Sequence, residues 1–147
     1  MDMMVHLSYR GGKTKDKEKV AEVLSGYELE GVQFLLDEQG NLEVAVENVD
    51  GQEYGEEWPR AVKKDQLPDR DKYPDQVSWW DAVFKVFSGR GDEGFEALLG
   101  ELAPLLATPL IILASELISD SGSAQLWRIA PGASEVETFG VHIGWPG

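Results

Sequence analysis

Polar and apolar residues alternate at the start of the chain. Met3, Val5, Leu7 and Tyr9 stand against Met4, His6 and Ser8, the period of two expected of a half-buried strand. Gly11-Gly12 ends this run. Thr14 is placed to cap a helix over residues 15–25, with Val20, Val23 and Leu24 on one face. Alternation then returns twice, in Val32, Phe34 and Leu36 and in Leu42, Val44 and Val46. Between them lies Asp37-Glu38-Gln39-Gly40-Asn41, the chemistry of a glycine-bearing hairpin loop. The pattern breaks from Asp50 to Pro74, an irregular excursion with Gly51, Gly55, Pro59, Pro68 and Pro74. A segment this long either hides a short helix near 57–64 or serves function directly.

From Asp75 the period is 3.6. Val77, Trp80, Phe84 and Phe87 form a stripe, widened by Trp79, Val83 and Val86, and Gly89 is expected to stop the helix. Asp92 is placed to cap a second helix bearing Phe95, Leu98, Leu99, Leu102, Leu105 and Leu106, with Pro104 near its end. Two helices so joined would pack as a pair, and the tripeptide Arg90-Gly91-Asp92 reads as the break between them. Leu110 to Ile118 is almost wholly aliphatic, as suits a central strand covered on both faces. Two more strands, Ala124 to Ala130 and Val136 to Ile143, follow the turn residues Ser119 to Ser123 and flank Pro131-Gly132. The expected order is β-α-β-β-loop-α-α-β-β-β. This is an α+β fold, a mostly antiparallel sheet of about five to six strands with helices packed on one face, in a single domain over residues 1–147.

Charge changes this picture. The 147 residues carry 27 acidic and 13 basic side chains, a formal net charge of -14. Residues 20–59 hold eleven acids and no Lys or Arg, and residues 91–147 hold eight acids against Arg128 alone. An excess of this size speeds encounter with a cationic partner. It disfavours nucleic acid, whose phosphates need a basic stripe. The expectation is that this run gathers into one exposed negative face. Its sharpest part is Glu53-Tyr54-Gly55-Glu56-Glu57-Trp58, where acids interleave with large rings as at protein-binding hot spots. Glu43 and Glu47, on the outer face of the second hairpin strand, would extend it. The candidate partner-binding residues are therefore Glu43, Glu47, Glu53, Tyr54, Glu56, Glu57 and Trp58. The plain alternative is that Tyr54 and Trp58 fold back to anchor a long loop.

Catalytic signals are thin. The chain has no cysteine, which removes disulfides, thiolate metal sites and cysteine nucleophiles. Gly11-Gly12-Lys13-Thr14 resembles the end of a phosphate-binding loop, but Leu7 stands where that motif needs glycine. His6 and His142 are the only histidines, and a metal site between them would require their strands to pair. Asp69, Asp71 and Asp75 lack the glycine and distal glutamate of a calcium loop. No metal and no cofactor is expected. Asp2 precedes the first basic residue, the reverse of a secretory leader, and the longest apolar run is too short for a bilayer, so a cytoplasmic protein without a membrane partner is expected.

No stretch of the chain matches a family motif. In charge, size and lack of catalytic motifs it is similar to small acidic bacterial proteins that neutralise a cognate toxin. The leading expectation is a non-enzymatic acidic protein-binding domain, of immunity or antitoxin type, that docks a basic partner surface. The alternatives are a small-molecule or metal-dependent enzyme using carboxylates and a histidine, and a structural or oligomeric module seamed by the aromatic helix.

Overall fold

The structure, a computed structural model, describes residues 3–46, 59–118 and 121–143. In chain order the elements are β1 (Met3–Gly11), α1 (Lys17–Ser25), β2 (Tyr27–Glu30), β3 (Val32–Leu36), β4 (Leu42–Val46), β5 (Arg60–Lys63), α2 (Gln76–Leu102), β6 (Leu110–Ile118), β7 (Ser121–Ile129) and β8 (Glu137–Ile143). The class is α+β with antiparallel pairing, as expected. The described strands, however, divide into three ladders: a four-stranded sheet in the order β1-β6-β7-β8, a β2–β5 ribbon and the β3–β4 hairpin.

β6 is central, with Leu110 opposite Gly11 on one side and Ile129 on the other. Leu110, Ile112 and Ala114 point inward and are buried, but Leu113 on the opposite face is 38% exposed. Among the described residues the sheet is thus covered on one face, not both. Its cover is the C-terminal half of α2, whose Phe95, Leu98, Leu99 and Leu102 enter one core with Trp127 and Ile129. Phe95 sits at the centre, its ring centroid 4.9 Å from Trp127 and 6.2 Å from Phe34 of the hairpin. Both pairs are tilted, at 58° and 34°, rather than stacked face to face, which suits aromatic quadrupoles.

α2 is one helix of 27 residues, not two. Asp75 caps it through Ser78 N, and it runs through Gly89, Gly91 and Asp92, so Asp92 starts nothing. Interior glycine costs about 1 kcal/mol relative to alanine. Burial on both sides of the glycines outweighs that cost. Before them, Val83 and Phe87 pack on Val62 of β5; after them, Phe95 and the leucines enter the main core. The helix crosses β5 at Gly94, where a β-carbon would stand 1.8 Å from the Ala61 carbonyl oxygen. Ala103–Leu105 then tightens into a 3-10 turn around Pro104.

The aromatic stripe divides between core and surface. Phe87 is buried and the Trp79 indole donates to Pro68 O at 3.0 Å, whereas Val77, Trp80 and Phe84 are 78%, 54% and 60% exposed. A helix apolar around so much of its circumference has more surface than β5 and its neighbours can cover.

Two further expectations need correction. Asp16, not Thr14, caps α1, accepting from Glu18 N and Lys19 N. Thr14 is buried and its hydroxyl donates to Gly40 O at 2.7 Å, tying the hairpin turn to the end of β1. No α-helix forms at 59–64; β5 and a 3-10 turn over Lys64–Gln66 occupy that stretch.

Candidate functional site

Asp37 builds the hairpin turn that presents Glu43. Its carboxylate accepts from Gln39 N at 2.9 Å and Asn41 N at 2.8 Å, and the Asn41 side-chain amide adds a third bond at 3.1 Å. These donors, the Asn41 backbone N–H first, hold its pKa below the ordinary 3.8. Gly40 takes φ +83°, a value that favours glycine. With the turn set, β3 and β4 pair so that Glu43 stands opposite Leu35 on the solvent side; both are exposed, Leu35 by 43%. Of the seven residues expected to bind a partner, Glu43 alone falls in the described structure. Glu47, Glu53, Tyr54, Glu56, Glu57 and Trp58 lie outside the described residues.

The described part of the acidic run is not uniformly free. Arg60, the first cation after it, returns through the β2–β5 ladder and pairs with Glu30. The Arg60 guanidinium is buried, and its Cζ lies over the Phe84 ring, 6.0 Å from the centroid. Glu22, Glu28, Glu38 and Glu43 remain exposed and make no ion pair among the described residues. Nothing in the local sequence linked Glu30 to Arg60, thirty residues apart. Only strand register brings them together.

A second feature escaped sequence reasoning. An open groove of about 1000 Å³ runs between α1 and the end of α2, lined by Lys19, Glu22, Val23, Lys63, Lys64 and Glu101, among others. On its wall the buried Tyr27 phenol donates to the Glu101 carboxylate. Burial first, then that bond and the Glu101 charge, raise the phenol pKa well above its ordinary 10. The unfolded chain therefore releases this proton first as pH rises. The stabilisation is complete below pH 10 and declines above it. In equilibrium denaturation from pH 8 to 11, Tyr27→Phe is expected to flatten this alkaline decline. An unchanged alkaline slope would remove Tyr27 as its source.

The remaining motifs resolve into structure. Gly12 N donates to Pro109 O at 3.1 Å, Lys13 N to Thr108 Oγ1 at 2.9 Å, Thr14 N to Gly40 O at 2.8 Å and Lys15 N to Leu105 O at 2.8 Å. Four successive amides are thus committed within the protein, and none is free to cradle a phosphate. β1 and β8, which carry His6 and His142, are opposite edges of the four-stranded sheet with β6 and β7 between them. The pairing a two-histidine site needs does not occur. Asp69 and Asp75 act as caps, accepting from Asp71 N and Ser78 N. The Ser78 N–H is the main cause that lowers the Asp75 pKa.

Among the described residues the site is thus a surface: exposed acids on α1, β2 and the hairpin, and a partly uncovered aromatic helix face whose Phe84 lies by the Arg60 that pairs with Glu30 of β2. Comparison with known protein families, curated proteins and solved structures found no match to this chain.

Proposed function

We propose that this protein is a non-enzymatic acidic protein-binding domain that docks a basic partner surface, in the manner of an immunity or antitoxin-type inhibitor. One observation carries the reading. In a chain of net charge -14, Glu22, Glu28, Glu38 and Glu43 stand exposed without an ion-pair partner among the described residues. Unpaired carboxylates with no folding role steer a cation toward the surface and meet its Arg and Lys groups on contact. The exposed Trp80 and Phe84 supply what charge alone lacks, since aromatic anchors dominate binding energy at protein interfaces.

The test is calorimetric and stopped-flow titration with a panel of basic proteins, the neighbouring gene's product among them, at two salt concentrations. The expected result is a complex whose association rate falls with salt. The double variant Glu28→Lys, Glu43→Lys should slow association by about tenfold while leaving the melting temperature nearly unchanged, because both side chains are exposed and unpaired. Absence of any salt-sensitive complex, or binding indifferent to this reversal of charge, would overturn the reading.

A further inference from the structure

β8 closes one side of the four-stranded sheet and, among the described residues, pairs only with β7. Its register with β7 runs unbroken from Glu137 to Gly122's partner Ile143, so no bulge twists the edge away. Glu137, Thr138, Phe139, Gly140 and His142 are all exposed, Phe139 by 60%. Natural sheets guard such edges with lysine, proline, bulges or covering segments, because the unpaired N–H and C=O groups template another strand. Residues 137–143, Glu-Thr-Phe-Gly-Val-His-Ile, contain neither lysine nor proline.

We infer that the β8 edge is an interface between two copies of this chain, joined by antiparallel β8–β8 pairing into a continuous eight-stranded sheet. The edge itself dictates an extended backbone as occupant. Charge then selects which one. The chain has 27 acids, yet positions 138–143 carry none, so this is a strip along which two copies of a -14 protein meet with little local repulsion. A cationic strand from another protein finds no free anion on β8, because Glu137 already accepts from Arg128 at 3.2 Å. The strand is also self-complementary about Gly140. Pairing across that position sets Phe139 opposite position 141 of the second copy, on the same face. It puts the two glycines, without side chains, at the axis. It keeps the Glu137 carboxylates about 20 Å apart at opposite ends. The inference is independent of the docking function proposed above and uses a different surface.

Sedimentation equilibrium of the whole chain at about 50 mM and about 500 mM NaCl tests it. Long-range repulsion between two anionic copies predicts a dimer that tightens by about tenfold at the higher salt, opposite in sign to docking of a basic partner. Every second amide of β8 should gain hydrogen-exchange protection as concentration rises. Phe139→Lys, at an exposed position, should keep the fold by circular dichroism and weaken the dimer at least about tenfold. If that variant fails to fold, the exchange pattern of the unaltered chain still decides. A chain that stays monomeric at both salts overturns the inference. So does a dimer unaffected by Phe139→Lys, or one lost in Trp80→Lys with β8 amides still exchanging freely. Protection of β8 that arises only on adding a basic partner would overturn the second copy as occupant.

Discussion

Gly94→Ala is expected to destabilise the protein by about 3 kcal/mol, with the apparent damage centred on β5. The new methyl would stand 1.8 Å from the Ala61 carbonyl oxygen and 2.8 Å from its carbon, and both are backbone atoms that cannot rotate aside. α2 would have to lift from the strand it crosses, loosening Ala61 in the main core and Val62 in the second cluster together. Two internal controls share the helix. A β-carbon at Gly89 or Gly100 meets nothing within 4 Å, and both positions are exposed. Gly89→Ala and Gly100→Ala should therefore each stabilise by about 1 kcal/mol, the ordinary gain in helix propensity. Urea denaturation of the three variants gives opposite signs for one chemical change. Equal effects at all three positions would show that α2 does not rest on β5 at Gly94.

The other large effect is expected at Phe95. Phe95→Ala should cost about 4 kcal/mol, near the upper range for deleting a buried ring. The residue is 1% exposed and touches both neighbours that define the core, Trp127 of the sheet and Phe34 of the hairpin. Its loss opens a cavity that the four-stranded sheet and the hairpin share, so neither can collapse into it without moving away from the other. Phe95→Leu, which keeps most of the volume, should cost roughly half as much. Thermal denaturation read by tryptophan fluorescence follows both. A loss below about 1 kcal/mol for the alanine variant would mean the core does not depend on this contact.

The same region tests the functional proposal. Variants at Gly94 and Phe95 act on stability and should leave the association kinetics of the folded fraction unaltered. Glu28→Lys with Glu43→Lys should do the reverse. A surface that binds by charge and exposed rings separates the two readouts, whereas a catalytic pocket formed at the α1–α2 groove would couple them. Acid behaviour follows from the turn and cap carboxylates. Asp37 and Asp75 have folded-state pKa values below 3.8, so their contribution is present above that pH and is lost as pH falls through the lower folded values.

Local pattern in the sequence was enough for several elements. Alternation marked β1 and the hairpin, a nearly continuous aliphatic run marked the central β6, and the Asp37–Asn41 turn was readable because its glycine and Asx chemistry are local. The charge imbalance and the lack of cysteine are properties of composition and needed no fold. Glu43 was correctly placed on the solvent face of its strand, since period two alone settles sidedness.

Tertiary structure decided what distance along the chain hides. β2 and β5 are four residues each, too short to carry a period, and they exist because Tyr27 and Lys63 meet across more than thirty residues. α2 runs through glycines that ordinarily end a helix, because burial on β5 before them and on the sheet after them exceeds their propensity cost. Which rings of the helix stripe are buried, and that Glu30 is neutralised while Glu28 stays free, were likewise settled by packing and register. Sequence sets periodicity and charge, which depend on neighbouring residues. Partnership between remote segments depends on which surfaces compete successfully for burial, and that competition is resolved only in the folded chain.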